Sequence, residues 1–341
     1  MKALKLFSDK SFSLIDIEEP RLQDKEILIN LGACGICGSD IGNIYGNSCK
    51  PSFNVGHEVT GTIVKVGANF KKNKFEGKRV FVNHHAPCNN CHYCIHGNET
   101  MCEKFLDNIF PGGIAEKIII SEWIIKNKSI FELPNSMSFE EGSMIEPLAC
   151  CIRGWKKISF LKKDSVVIFG MGPIGILYAM LAKNYGASQI YCVDINQKRL
   201  NFCKKMNLGI CINGNISEFN RLCDGDNKRQ PDLIIIATSD MTVIKKSIDI
   251  VRKGGTILIF GEPQKDTKVN IDLNKIYSKE INIKTTYAAT NKEIHEALHL
   301  IKIKKIDVNK IISHRYNITQ SKDAIENAHS REVIKAIIIN K

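Results

Sequence analysis

The stretch Val166-Val167-Ile168-Phe169-Gly170-Met171-Gly172-Pro173-Ile174-Gly175 decides the fold. Four apolar residues read as a buried strand, and the glycines after them have the G-x-G-x-x-G spacing that opens a helix. Gly170 permits a tight turn, Gly172 lets the backbone approach a pyrophosphate, and Gly175 lets the helix pack on the strand. Pro173 and Ile174 complete the turn. A pyrophosphate would rest on the helix N-terminus, where unpaired N–H groups and the dipole favour anions. The next strand ends in an acid, Asp194, 19 residues after Gly175. Asp194 would accept hydrogen bonds from adenosine ribose hydroxyls and repel the extra phosphate of NADP, which favours NAD. The alternative is that Asp194 caps the helix starting near Gln197. Arg199 either flanks the adenosine or is an exposed helix arginine.

Outward from this turn, apolar β-runs alternate with helical patterns from about 150 to 288. Val166–Phe169, Ile190–Val193, Leu233–Ala237 and Thr256–Phe260 are apolar almost throughout, as strands of a buried parallel sheet are. Helices are expected at Ile174–Asn184, Gln197–Met206 and Thr242–Arg252, the last closed by Lys253-Gly254-Gly255 as a C-cap. This β-α-β series implies an α/β domain with a doubly wound parallel sheet. Residues 1 to about 145 read instead as short strands broken by Gly, Pro and Asn, among them Glu26–Leu31, Val59–Val66 and Arg79–Val82. The last ~50 residues return to mixed texture, with a helix around Lys292–Ile303 and a strand at Val333–Ile339.

A chain of 341 residues buries a substantial core without staples. No apolar run approaches the roughly 20 residues that span a bilayer, and Met1 to Ile17 shows no signal-peptide pattern. A cytoplasmic location is expected, without a membrane partner. The net charge of +12 raises the possibility of a nucleic-acid partner. The basic residues are spread along the chain, however, and Lys71-Lys72-Asn73-Lys74 does not extend into a long basic block.

Four of the 13 cysteines fall in one cluster, Cys88-x-x-Cys91-x-x-Cys94-x7-Cys102. Thiolates at this spacing wrap one tetrahedral Zn²⁺, and four protein ligands leave no position for substrate, so the site is structural. His84, His85, His92 and His96 lie nearby, and most of them are expected to be solvated loop residues. A second metal set is spread out: Cys37 and Ser39 in Gly35-Ile36-Cys37-Gly38-Ser39-Asp40, then His57 and Glu58, then Glu146 before Pro147-Leu148. Cys, His and Glu together suit a catalytic zinc with an open coordination position. Asp40 could bond the second nitrogen of His57 and fix its tautomer. Taken singly, Cys37 or His57 reads as an ordinary core residue.

The order of these motifs resembles the zinc-containing medium-chain dehydrogenases over essentially the whole length, and Glu146 is similar to the polyol branch. The resemblance implies a GroES-like, mainly-β catalytic domain at 1–148 with a zinc lobe at about 84–105, a Rossmann NAD domain at 149–288, and a return to the catalytic domain at 289–341. It implies two zinc ions per chain. Cys37 and His57 would bind the catalytic one, Glu58 and Glu146 would be alternating or water-mediated ligands, and Ser39 would sit beside the substrate oxygen and take its proton. The implied activity is hydride transfer from a secondary alcohol of a polyol, sugar phosphate or related hydroxylated substrate to NAD. L-Threonine or a simple alcohol is the alternative donor, and a homodimer or homotetramer the implied assembly. The chain departs from the sorbitol pattern at Asn43 and Ala288-Ala289, and Gly42 stands where many members carry a relay histidine. Two other readings are a zinc-ribbon nucleic-acid-binding protein and an idle relative that binds NAD. The first needs basic and aromatic residues grouped on one face, and the chain is only 7% aromatic.

Overall fold

The sheets follow from where the apolar runs can be buried. A computed structural model of the chain describes residues 1–46, 52, 55–109, 112–214 and 230–340. The chain divides into two compact units, Met1–Ala149 with Ala289–Lys341, and Cys150–Ala288.

In the first unit, β1 (Lys2–Leu6) and β2 (Phe12–Asp16) form an antiparallel pair. The main sheet is built from β3 (Ile27–Gly35), β4 (Glu58–Val66), β5 (Arg79–Asn83), β6 (Lys117–Ile120) and β7 (Ile130–Glu132), with β14 (Ile312–Asn317) and β15 (Lys335–Ile339) from the far end of the chain. Its order is β14-β15-β3-β4-β5-β7, with β6 on β3. Ile27, Ile29, Val59, Ile63, Val80, Val82 and Ile338 supply the core, together with residues such as Leu4 and Ile120. This is a GroES-like mainly-β unit. The antiparallel pairing of β15 with β3, Ile337 opposite Gly35, carries the C-terminus to the segment that begins Ile36-Cys37. The expected C-terminal helix belongs to this unit and spans Asn291–Lys302.

In the second unit, β8 (Ser165–Phe169), β9 (Gln189–Asp194), β10 (Ile210–Asn213), β11 (Leu233–Ile236), β12 (Thr256–Ile259) and β13 (Asn282–Thr285) pair in parallel in the order β10-β9-β8-β11-β12-β13. Every residue of β8 and β11 is buried, as expected for central strands covered on both faces. Counted along the unit the order is 3-2-1-4-5-6, the Rossmann arrangement. The expected helices are present at Pro173–Asn184, Gln197–Lys205 and Thr242–Ile250. The third ends earlier than its glycines suggested. Val251 is already extended and fully buried, so the chain leaves the helix to bury a β-branched side chain. Gly254, at φ +69°, serves the turn into β12 instead of capping the helix. Among the described residues no helix is long and apolar enough to cross a membrane.

Candidate active site

Strand β3 runs out at Gly35, and Cys37 caps the helix α1 (Gly38–Tyr45) that follows. Asp40, in the first turn of α1, is buried and accepts three hydrogen bonds. The Cys37 N–H donates to Oδ2 at 2.9 Å and the Gly56 N–H to Oδ1 at 2.9 Å. His57 Nδ1 lies 3.2 Å from Oδ1. Gly56 adopts φ +83°, a left-handed turn that favours glycine, and it delivers both its N–H and His57 to Asp40. A hydrogen on Nδ1 leaves Nε2 as the acceptor nitrogen, which is how a neighbouring carboxylate fixes a metal-binding imidazole. Burial opposes charge on this pair, but the mutual attraction wins. Asp40 is held below the usual carboxylate range and His57 well above the usual imidazole value.

The ligand atoms of Cys37, His57 and Glu58 lie within 4.8 Å of one another. Glu58, the first residue of β4, is fully enclosed. Glu146 sits in the first turn of the helix Ile145–Lys156 and is also buried. It is not within that 4.8 Å set, but it is near enough to act on Glu58 electrostatically, raising its carboxyl further above the usual range after burial. Ser39 is exposed on α1. A soft thiolate, an imidazole and a carboxylate form a donor set that suits zinc, which would displace from His57 the proton that Asp40 otherwise favours.

The four-cysteine loop closes on itself. Cys91 Sγ is 3.6 Å from Cys94 Sγ, and Cys88 Sγ is 3.9 Å from Cys94 Sγ. All four sulfurs, Cys102 included, lie within 4.8 Å of one another. A tetrahedron with Zn–S of about 2.3 Å has S···S edges of about 3.8 Å, so the spacing matches one ion. Backbone N–H groups of Cys88, Cys91 and Lys104 point at the sulfurs at 3.2–3.3 Å. The backbone N–H groups of Cys94 and Glu103 lower the Cys91 thiol to about 6, while burial pushes Cys94 up to about 12. Among the described residues no disulfide joins any of the cysteines.

In the second unit the glycine turn has the expected shape. Gly170 takes φ +91°, and Gly172 caps the helix Pro173–Asn184 with Pro173 in its first turn. Ile174 and Gly175 follow in that helix, where a Cβ on Gly175 would lie 1.9 Å from the Gly170 carbonyl oxygen. Asp194 is not the cap of the next helix. Asn196 is, accepting from the N–H groups of Lys198 and Arg199. Asp194 instead bridges the turn, accepting from the Met171 N–H at 2.6 Å and the Asn196 N–H at 2.7 Å. The Arg199 guanidinium lies 3.8 Å from Asp194 and beside Gly172, so it is drawn over the turn and is not a free surface group.

Two features escaped the sequence reading. His84 and His85 are buried, not solvated. The His84 ring is 4.6 Å from that of His57 and 3.7 Å from that of His85, which stacks on Phe105 at 4.3 Å. Burial pushes His84 well below the usual value and His85 to about 3. His92 and His96 are exposed, as expected. The second feature is Lys335, on β15, whose enclosed ammonium meets Glu58 at 2.5 Å. Burial opposes its charge, but Glu58 outweighs that and raises its pKa. The one signal in sequence was a lysine interrupting the apolar run Val333–Ile339.

Two family models match the chain: an alcohol dehydrogenase GroES-like domain over residues 23–129 and a zinc-binding dehydrogenase over 173–302. D-arabinitol dehydrogenase 1 of Uromyces fabae is 27% identical over 99% of this chain and 97% of its own. D-arabitol-phosphate dehydrogenase of Enterococcus avium is 28% identical over 96% and 93%. The alcohol dehydrogenase rspB of Escherichia coli CFT073, solved with NADH, has the same fold, with a TM-score of 0.88 at 22% identity and 99% of both chains covered. Fold, motif order and family models agree, and the chain belongs to the zinc-containing medium-chain dehydrogenases, oxidoreductases that act on the CH–OH group of their donors.

Proposed function

We propose that the chain oxidises a secondary hydroxyl of a polyol or sugar phosphate and passes the hydride to NAD, with one zinc ion at Cys37 and His57 and a second in the Cys88–Cys102 loop. The observation that carries this reading is the clustering of the Cys37 thiol, the His57 imidazole and the Glu58 carboxylate, with His57 oriented by Asp40. A zinc ion there would act as a Lewis acid toward the substrate hydroxyl, and a bound nicotinamide would accept the hydride.

The chain's own residues do the rest. Cys37 and His57 hold the metal, with Glu58 and Glu146 as the carboxylates available to it. Asp40 keeps the His57 tautomer. Ser39, at the exposed start of α1, accepts the hydroxyl proton and passes it to solvent. Gly170, Gly172, Pro173, Ile174 and Gly175 cradle the pyrophosphate, and Asp194 with Arg199 meets the adenosine ribose. The two D-arabinitol-type relatives favour a polyol or its phosphate over threonine or a simple alcohol. A cytoplasmic homodimer or homotetramer completes the proposal, and light scattering tests the assembly.

The substrate test is a screen of NAD reduction across polyols, sugar phosphates, cyclitols and amino alcohols. Turnover confined to polyols or their phosphates is the expected result. Turnover of threonine alone, or of none of these, would overturn the assignment.

A further inference from the structure

His92 and His96 are exposed on the four-cysteine loop and take no part in either metal set described above. They occupy the first residue and the C-cap of one helical turn, His92–Ile95. Histidines four residues apart on one helical face are spaced to share a single ion. The turn that carries them is well defined. The Ile95 N–H donates to the Cys91 carbonyl oxygen at 3.0 Å and the His96 N–H to the His92 carbonyl oxygen at 3.2 Å. Gly97 then closes the turn at φ +76°, a conformation that favours glycine. The two rings lie 4.1 Å apart between centroids and are tilted by 37°. Imidazole nitrogens bound to one tetrahedral zinc at about 2.0–2.1 Å sit about 3.3 Å apart, a separation that rings this close can reach. A second observation concerns the orientation of His96. Its Nδ1 lies 2.7 Å from the His92 carbonyl oxygen. A carbonyl only accepts, so Nδ1 carries the hydrogen and Nε2 keeps its lone pair. A ring hydrogen donated to a backbone carbonyl is how proteins present the other imidazole nitrogen to a metal.

We propose that His92 and His96 form a third metal site, which takes a borderline divalent ion such as Zn²⁺ and exchanges it readily with solvent. Imidazole suits ions of this class. Two protein ligands leave the other positions to water, so the ion is held less tightly than one wrapped by four thiolates. The site goes beyond the two ions of the proposed function. Its ligands share a helical turn with Cys94 and directly follow Cys91, so a captured ion is held on the same turn as the thiols of the structural set.

The test uses the full-length, zinc-loaded enzyme after gel filtration has removed weakly held metal. Zn²⁺ is then titrated by calorimetry into the parent, His92→Gln and His96→Gln. The parent takes up one further ion per chain. Each substitution weakens that uptake roughly a hundredfold, the low end of what joining two ligands adds. The tightly held zinc, counted after gel filtration, is the same in all three proteins. A second measurement needs only the parent and so decides the matter even if a variant fails to fold. Diethyl pyrocarbonate modifies accessible imidazoles, and peptide mass spectrometry locates the adducts. Added Zn²⁺ protects His92 and His96, while the exposed His314 reacts as before. No uptake of a further ion by the parent would overturn the proposal, as would a further ion bound equally well by both variants. Equal modification of His92 and His96 with and without Zn²⁺ would overturn it too.

Discussion

Two glycines of one turn should fail in opposite ways. A Cβ on Gly175 would lie 1.9 Å from the Gly170 carbonyl oxygen and 3.0 Å from its carbon. Both atoms are backbone, so the helix would have to retreat from the strand by about 1 Å in an interior packed to crystal density. Overpacking of this kind costs about 1–3 kcal/mol, and a unit of this size loses roughly 2–4 °C of Tm per kcal/mol. Gly175→Ala should therefore melt several degrees lower. Gly172 differs. Its φ of −75° and ψ of −169° suit any residue, and a Cβ would meet only the Arg199 guanidinium at 3.6–3.9 Å. Gly172→Ala should cost less than about 1 kcal/mol in stability, the scale of a cap change. Its methyl group, however, would stand where the backbone must approach a pyrophosphate. Losing about 2–3 kcal/mol of that contact corresponds to a roughly 30- to 150-fold rise in Kd. Thermal melts and an NADH fluorescence titration separate the two effects. Gly172→Ala protein that binds NADH like the parent would refute the assignment of this turn to the dinucleotide.

Three further predictions concern other parts of the site. Asp194→Ala should weaken NAD at least about tenfold and narrow its advantage over NADP, since ribose selection rests on that carboxylate; an unchanged NAD/NADP ratio by titration would exclude Asp194 as the selector. Cys91→Ser should lower the zinc content from two ions per chain to one, measured by mass spectrometry of the metal, while NADH binding persists; two retained ions would rule out the single-ion loop. His85 should make the fold acid-sensitive: its folded pKa of about 3 lies below the usual 6.5, so the unfolded chain takes a proton that the folded chain refuses. That stability is complete above pH 6.5 and falls as pH drops toward 3, by about 2 kcal/mol at pH 5. His85→Asn should flatten this part of the profile in urea melts at pH 7.5 and pH 5, and an equally steep profile in the variant would count against the buried neutral imidazole.

The parallel sheet was legible because its central strands are buried on both faces and so have no polar residues to blur the pattern. The clustering of Cys88, Cys91, Cys94 and Cys102, and of Cys37, His57 and Glu58, follows the kind and order of these residues in the sequence, although Cys37 or His57 taken alone would read as an ordinary core residue. What depends on distant contacts was not legible. Lys335 reads as a surface lysine until β15 is laid against β3, and only then does its charge find Glu58. His84 and His85 follow the usual expectation for polar loop residues, but the loop turns inward between His57 and Phe105. The helix Thr242–Ile250 stopped short of its glycines because burial of Val251 outweighed the capping signal. Asp194 was placed correctly at the end of its strand, while its bond to the Met171 N–H could be seen only once the turn was built.

The central claim is that the Cys37 and His57 pair holds the metal on which CH–OH oxidation depends, in the same chain that binds the dinucleotide. The most direct test measures NAD reduction at 340 nm with the best polyol or sugar phosphate, in the parent enzyme and in Cys37→Ala, after NADH titration shows that both bind cofactor equally. The account predicts turnover in the parent and none in the variant, with NADH affinity unchanged and the zinc of the four-cysteine loop retained. Equal turnover in both proteins would contradict it.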